Sequence, residues 1–212
     1  MSNVRILICL MAFVVSCSNQ ENTENSSLNL NGTLSTDISN DTLLVDLSKS
    51  TIDWKGTKMM GRGKHVGRIQ LMNGYTVMEG DKLIGGQFVV DMNSIEVTDI
   101  PSHEPVPRKR FIDHMKSEDF FETSKFPTSK FVITKTVSIN EDSSQVSGDL
   151  TIKDVTNSVT FKIHNDGQQF STKFSFNRFL WNIDYVGNES DESQVDKDIE
   201  LDIKIVTLNK IE

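Results

Sequence analysis

Apolar and polar residues alternate with a period of two along most of the chain beyond Leu43. This period is typical of β-strands with one buried side, because successive side chains point to opposite faces of a strand. Turn-forming sequences such as Glu79-Gly80-Asp81, Asn140-Glu141-Asp142 and Asn165-Asp166-Gly167 separate the runs. The pattern predicts eight strands, within residues 52–57, 69–77, 88–93, 131–139, 146–153, 158–163, 170–176 and 199–205.

Two of these runs keep one apolar phase across a single interruption, which falls at Asn73 in the second run and at Lys135 in the fourth. We expect the apolar residues on both sides of each interruption to share one face of the strand. These residues are Ile69, Leu71, Tyr75 and Val77 in the second run, and Phe131, Ile133, Val137 and Ile139 in the fourth.

Every apolar strand face needs a partner surface. A meander that closes on itself supplies one and leaves no unpaired edge, which predicts an all-β fold, an antiparallel eight-stranded barrel. A two-sheet sandwich satisfies the same pattern and stays open as an alternative. The segment Pro107–Phe121 instead carries Phe111, Met115 and Glu118 at helical spacing, and it predicts one short helical insertion near the middle of the meander.

The first residues have the pattern of a secretory signal peptide. Arg5 precedes an apolar run from Ile6 to Val15. As a helix this run spans only about 15 Å, half of a bilayer, so it fits an exported leader and not a membrane span. Val15-Ser16-Cys17-Ser18 then resembles the bacterial lipobox, in which the Cys thiol receives a diacylglyceryl group and becomes the mature N-terminus. An ordinary signal peptide with an incidental Cys17 is the alternative.

The sequence predicts three parts: a signal peptide at 1–16, a lipidated Cys17 with a tether to residue 42, and one β-barrel domain at 43–212. Ser18 to Asp41 contains no basic and no aromatic residue and is rich in Asn, Ser and Thr. Such a segment buries too little apolar surface to offset the entropy of ordering, so we expect a disordered tether. Acyl chains on Cys17 would anchor the protein in the bacterial envelope, most readily at the outer membrane.

Composition excludes several classes of function. The net charge of −8 argues against nucleic-acid binding, which requires clustered basic residues. The domain contains no cysteine, and His65, His103, His114 and His164 have no metal-ligand spacing, so we expect neither a metal nor another cofactor. No nucleophile elbow, phosphate loop or dinucleotide fingerprint is present, and we expect no enzymatic activity.

Several stretches resemble the YceI-like family of periplasmic, lipocalin-like, polyisoprenoid-binding proteins. His114-Met115-Lys116-Ser117-Glu118-Asp119-Phe120-Phe121-Glu122, followed by Lys125-Phe126-Pro127 and Phe131, is similar to the longest family signature. Trp54-Lys55-Gly56 with His65-Val66-Gly67 resembles the family's opening motif. Further similar stretches follow in the family's order: 86–91, 146–151, Val155-Thr156 and 178–183. Asn157-Ser158 departs from the Lys-Pro that the family often has there, at the entrance to a strand.

The resemblance implies an extended antiparallel barrel around a long apolar amphiphile, such as a polyisoprenoid, an isoprenoid quinone or a fatty amide. His65 and His114 would either fix loops at the mouth of the barrel, which we favour, or hydrogen-bond the ligand's head group. Arg178 beside Trp181 is interpreted as structural cation–π support. The residues expected to contact the ligand are Trp54, His65, Phe88, Val90, His114, Phe121, Phe131, Ile133, Phe161, Phe174 and Phe176.

Two other functions stay open from the sequence. The in-phase aromatic residues can equally fill the core, which would make the protein a non-carrier interaction or structural lipoprotein with a filled barrel. The other function is an accessory role in electron transfer, in which the protein holds a quinone for a redox partner. The oligomeric state also stays open, with a dimer as one alternative.

Overall fold

The computed structural model describes residues 42–58, 60–185 and 195–208; the expected signal peptide, Cys17 and all of the expected tether except Thr42 lie outside these ranges. Within them the chain forms nine strands, one α-helix and one 3₁₀ helix. The elements are β1 (Thr42–Leu44), β2 (Thr51–Lys58), β3 (Gly63–Glu79), β4 (Lys82–Val97), α1 (Pro105–Lys116), β5 (Thr128–Asn140), β6 (Ser143–Ile152), β7 (Val155–Asp166), β8 (Gln169–Asn177), the 3₁₀ helix (Arg178–Trp181) and β9 (Val195–Val206).

The strands β2 to β9 close into an antiparallel barrel. Each consecutive pair from β2–β3 to β8–β9 is hydrogen-bonded, and β9 returns to pair with β2. Closure pairs both edges of the sheet, so that the backbone groups on the two edges are satisfied within the chain. The predicted eight-stranded antiparallel barrel with one helical insertion is therefore confirmed, and the sandwich alternative is wrong.

The short strand β1 completes the barrel where β2 is too short to do so. β2 pairs with β3 only from Gly63 to Ile69, whereas β1 pairs with Tyr75 to Val77 farther along the same strand. On its other side, Leu208 N–H donates to Leu44 O at 2.8 Å, and Val45 forms a bridge with Thr207. Thus β1 and β2 together occupy one strand position beside the seventeen-residue β3.

The predicted phase of β3 is wrong beyond Leu71. The register to β4 shifts between Leu71 and Asn73, which marks a β-bulge. A bulge adds one residue to one strand, so every later side chain changes face. Thr76 and Met78 are consequently buried, whereas Tyr75 and Val77, which were expected to share the face of Leu71, lie on the other side.

A second bulge corrects the expectation for β5. The register to β6 shifts between Ile133 and Lys135. Phe131 and Ile133 face the interior as expected, but Val137 and Ile139 are about half exposed, at 47% and 48%. The alternation in sequence continues past the bulge, and only the pairing with β6 reveals that the face has changed.

The helix begins and ends earlier than the spacing predicted. α1 covers Pro105–Lys116 instead of Pro107–Phe121, with proline in its first turn, where a missing N–H is tolerated. It ends because Ser117 adopts an extended conformation, with φ −74° and ψ 176°. Phe120 and Phe121 therefore lie beyond the helix, in a turn that places both side chains in the core.

The interior contains two clusters of buried apolar side chains, one toward each end of the barrel. The helix end is where α1 connects β4 to β5, and the far end carries the β3–β4 turn at Gly80–Asp81. No helix among the described residues is long and apolar enough to cross a bilayer. The helix-end cluster consists of Met92, Ile95, Phe120, Phe121, Ile152, Phe176, Trp181 and Ile183. The far-end cluster consists of Val45, Met78, Leu83, Val146, Ile163, Phe170 and Ile205.

Candidate functional site

The barrel encloses a cavity of about 410 Å³. Its wall is built mainly from inward-facing apolar side chains of the barrel strands, and α1 contributes Phe111, His114 and Met115. The volume lies within the range of roughly 300–1,000 Å³ that small-molecule sites occupy. All of the residues expected to contact a ligand line this one cavity: Trp54, His65, Phe88, Val90, His114, Phe121, Phe131, Ile133, Phe161, Phe174 and Phe176.

A row of phenylalanine rings forms one side of the cavity. The ring centroids of Phe88 and Phe131 are 6.4 Å apart, those of Phe131 and Phe161 are 5.5 Å apart, and those of Phe161 and Phe174 are 4.3 Å apart. The four residues lie on β4, β5, β7 and β8, so the row crosses several strands of the wall. It offers a continuous apolar surface with no hydrogen-bonding atom on the side chains that form it.

Gly148 on β6 allows this row to pass between β5 and β7. A Cβ atom at this position would lie 2.4 Å from Cζ of Phe131 and 2.5 Å from the backbone oxygen of Val132. No larger residue fits beneath the Phe131 ring without moving backbone. The glycine thus brings Phe131 within reach of Phe161, which lies one strand beyond β6.

At the helix end, α1 covers the side chains of β2 and β3. The ring of Phe111 lies 6.2 Å from Trp54 in a nearly parallel arrangement and 4.4 Å from His65. His65 Nδ1 is 3.1 Å from Oδ2 of Asp99, whose other oxygen accepts the backbone N–H of Val66 at 3.2 Å. The carboxylate therefore fixes both the imidazole of His65 and the backbone of the next residue on β3. Phe111 was not among the residues expected to contact a ligand, although its helical spacing with Met115 is visible in the sequence.

His114 also lies at the helix end, packed among aromatic rings. Its ring is edge-on to Phe120 at 5.1 Å and to Tyr185 at 4.7 Å, and its Nδ1 lies 3.4 Å from Oδ2 of Asp119. Tyr185 lines the cavity and was missed by the sequence analysis, because it follows the 3₁₀ helix in a segment without periodicity.

Phe121 and Phe176 join the cavity wall to the helix-end cluster. Phe176 packs edge-on against Trp181 at 5.1 Å, and Trp181 Nε1 donates to the backbone oxygen of Leu150 at 2.9 Å. Trp181 is only 1% exposed, and this hydrogen bond satisfies its polar atom. These two contacts hold the 3₁₀ helix against β6 and β8, next to the cavity wall.

Arg178 is fully buried and holds the chain on both sides of residues 184–194. Its guanidinium donates to the backbone oxygens of Asp196 at 3.0 Å, Val195 at 3.1 Å and Ile183. Burial lowers its pKa, although Asp184 and Asp196 act in the opposite direction. The predicted structural role fits these bonds, but the guanidinium lies over the rings of Phe179, 4.6 Å away, and Phe120, 5.9 Å away, and not over Trp181.

Asp196 at the start of β9 fixes the end of β2 and the turn that follows it. Its carboxylate accepts hydrogen bonds from Thr57 Oγ1 at 2.5 Å, Met60 N–H at 3.1 Å and Gly61 N–H at 3.0 Å. The hydrogen bond from the Thr57 side chain is the largest of several effects that lower the pKa of Asp196. The residue belongs to the cavity wall, but its oxygens already have partners.

The described residues contain no group of three or more His, Cys, Asp or Glu side chains that could hold a metal ion. The histidine–carboxylate pairs at the helix end are each isolated pairs within that part of the chain.

Comparison with known proteins identifies a protein family and individual relatives of this chain. A family model described as the YceI-like domain matches residues 44–207. A UPF0312 protein of Shewanella denitrificans is 31% identical over 132 residues, which cover 58% of this chain and 65% of that protein. A UPF0312 protein of Pseudomonas putida is 44% identical over 55 residues, or 26% of this chain and 29% of that protein. The matches span less than two thirds of the length of these relatives.

Solved structures show the same fold. BcnA of Burkholderia cenocepacia superposes with a TM-score of 0.63 at 21% identity, over 77% of this chain and 99% of that one. The YCEI protein of Campylobacter jejuni gives a TM-score of 0.50 at 16% identity, over 66% of this chain and 84% of that one. At such identities the similarity is evidence for the fold alone.

Proposed function

Because this chain belongs to the YceI-like domain family, we propose that it binds one long apolar amphiphile inside its barrel and carries or stores it in the bacterial envelope. The ligand class includes polyisoprenoids, isoprenoid quinones and fatty amides. The proposed role is to hold the ligand, without a catalytic step. The accessory role in electron transfer becomes one use of this site, in which the ligand is a quinone.

The cavity is the observation that carries this proposal. Water is a poor occupant of a space with an apolar wall, since each molecule needs two to four polar partners. An alkyl or isoprenoid chain gains about 0.8 kcal/mol for each methylene that it buries. A ligand of roughly 30 carbons would retain ample affinity after the costs of ordering.

The size of the interior space supports a carrier over the alternative of a filled barrel core. A solid core would leave few voids larger than a water molecule, whereas the space here is about 410 Å³. The phenylalanine row lies at one side of this space, where Gly148 leaves room for the Phe131 ring.

Native mass spectrometry of the full-length protein, purified from envelopes in mild detergent, tests the proposal. We expect one bound lipid per chain, identified after extraction into organic solvent. Repeated absence of a lipid, together with no uptake of ubiquinone, a polyprenol or a fatty amide from vesicles, would contradict a carrier function.

We also propose that the protein is an outer-membrane lipoprotein anchored through acyl chains on Cys17. Support comes from the sequence, in which a small residue precedes this cysteine directly after a short apolar run. Metabolic labelling with radioactive palmitate should label the wild type and a Cys9→Ser variant equally, and should not label Cys17→Ser. Membrane fractionation then locates the labelled protein. Equal labelling of Cys17→Ser would overturn the assignment.

A further inference from the structure

Most polar side chains of the cavity wall, including its charged and imidazole groups, lie at the helix end. Thr57 and Lys58 end β2, His65 lies near the start of β3, and Asp196 near the start of β9. Tyr185 approaches the same end and contacts His114 of α1. The cavity is therefore polar at one end, beneath α1.

Toward the far end the wall is mainly apolar, and its polar side chains among the described residues are the hydroxyl residues Thr76, Ser171 and Thr172. It includes Leu83, Val146, Ile163 and Ile205, which belong to the far-end cluster and are at most 7% exposed. The hydroxyl of Thr172, also in the wall, is satisfied by donating to the backbone oxygen of Lys162 at 2.6 Å. A polar head group placed there would lose its hydration and gain few hydrogen bonds in return. The ligand would therefore bind more weakly in that orientation.

His65 has the chemistry to receive a head group. Its Nδ1 faces the Asp99 carboxylate, which can only accept a hydrogen bond, so Nδ1 carries the proton. In the neutral ring, Nε2 is then a hydrogen-bond acceptor. Phe111 packs against the imidazole ring at a centroid distance of 4.4 Å. The Asp99 carboxylate, itself held by Val66 N–H, determines the orientation of the imidazole.

We propose that the ligand lies in a single orientation, with its head group beneath α1 and its tail toward the far-end cluster, and that the head group donates a hydrogen bond to Nε2 of His65. This rests on the proposed function and narrows the ligand class. An alcohol, a phenol or quinol, or a primary amide has the required donor. A hydrocarbon, an ether or an oxidised quinone does not.

The head-group preference is tested by displacement of the fluorescent probe diphenylhexatriene from the full-length protein. The competitors share one tail: hexadecanol, hexadecanamide, hexadecyl methyl ether and hexadecane. We expect the alcohol and the amide to bind about five- to tenfold tighter than the ether, which keeps the oxygen but lacks the donor. In His65→Phe, which keeps an aromatic ring beside Phe111, this advantage should disappear.

The matched control is His103→Phe, since His103 is largely exposed and is not part of the cavity wall. It should retain the preference of the wild type. Equal affinity for alcohol and ether in the wild type, or an undiminished preference in His65→Phe, overturns the head-group proposal. If none of the competitors displaces the probe, the proposed function itself fails.

Orientation is tested by photo-crosslinking with two hexadecanol derivatives, which carry a diazirine beside the hydroxyl carbon or at the methyl end. Mass spectrometry should place the first crosslink on the α1 segment with Phe111 and Met115. The second should lie on far-end segments such as those with Leu83 or Ile163. The reversed pattern, or both labels distributed equally over the two ends, overturns a single orientation.

Discussion

Gly67 leaves the space in which the indole of Trp54 lies. The two residues are directly opposite each other on β3 and β2. A Cβ atom on Gly67 would lie 2.4 Å from Cζ2 of Trp54 and 1.9 Å from the backbone oxygen of Glu96. Since the indole also stacks on Phe111, the absence of one methyl group on β3 positions the aromatic wall beneath α1.

We expect Gly67→Ala to destabilise the protein by about 3 kcal/mol or more, because the new methyl group meets backbone on one side and a packed ring on the other. Urea unfolding followed by far-UV circular dichroism gives the change in midpoint. Gly56→Ala is the matched control, since a Cβ at Gly56 meets nothing within 4 Å. That variant should be neutral or slightly stabilising; equal losses in both variants would contradict the steric explanation.

Phe131→Trp should reduce ligand binding without unfolding the barrel. The larger ring extends into the cavity beside Phe161, which is 5.5 Å away, and takes space that a ligand chain needs. We expect at least a tenfold weaker uptake of a polyprenol in a vesicle-transfer assay, with a free energy of unfolding within about 1.5 kcal/mol of the wild type. Phe179→Trp changes a partly exposed ring outside the cavity and should bind normally.

Arg178→Met should destabilise the protein strongly. It leaves the backbone oxygens of Ile183, Val195 and Asp196 without their donor in a buried setting. Each unsatisfied group costs about 1–3 kcal/mol, so a total near 3 kcal/mol or above is expected from chemical denaturation. Arg68→Met removes the exposed ion pair with Asp53 and should cost about 1 kcal/mol or less. A small loss of stability in Arg178→Met would contradict this role, because the backbone at Ile183 and Val195 would then stay in place without the guanidinium.

The Asp196 carboxyl should titrate below its ordinary pKa of 3.8 in an NMR titration of the folded protein. A pKa lowered by folding means that the unfolded chain binds more protons in this range. The stabilisation by Asp196 is therefore complete above the ordinary pKa, and it is lost as the pH falls through the lower, folded-state value.

Thr57→Val removes the hydrogen bond that lowers this pKa most, so the Asp196 titration should shift upward and the acid-range stability should depend less on pH. Thr160→Val is the control, because the Thr160 hydroxyl bonds to Ser147 and to no carboxylate. An unchanged Asp196 titration in Thr57→Val would contradict the assigned cause.

Much of the barrel was predictable because strand alternation is a local property. Phe88 and Val90 on β4, and Phe161 on β7, face the cavity as their parity indicates. The prediction failed where pairing between strands changes the parity. Tyr75 and Val137 each follow a β-bulge, which is a shift in the pairing with the neighbouring strand. The alternation within a single strand does not specify such a shift.

The candidate site was predictable for its strand residues and much less so for the rest. Phe111 and Tyr185 reach the wall from α1 and from an irregular segment, whose positions depend on packing against distant strands. Arg178 was assigned a structural role from its neighbour Trp181 in sequence. Its actual partners include Val195 and Asp196, beyond residues 186–194.

The sequence by itself determined the all-β class and the inward phenylalanines of the strands, because both follow from side-chain parity along single strands. The pattern fits a barrel and a sandwich alike, and the pairing of β9 with β2 in the tertiary structure decided for the barrel. Only the tertiary structure decided that the interior is hollow and polar at one end. Whether inward side chains meet across a barrel depends on its radius and on the stagger of its strands. The contacts that shape the cavity wall, such as Phe131 over Gly148 and Phe111 beside Trp54, join residues far apart in the chain.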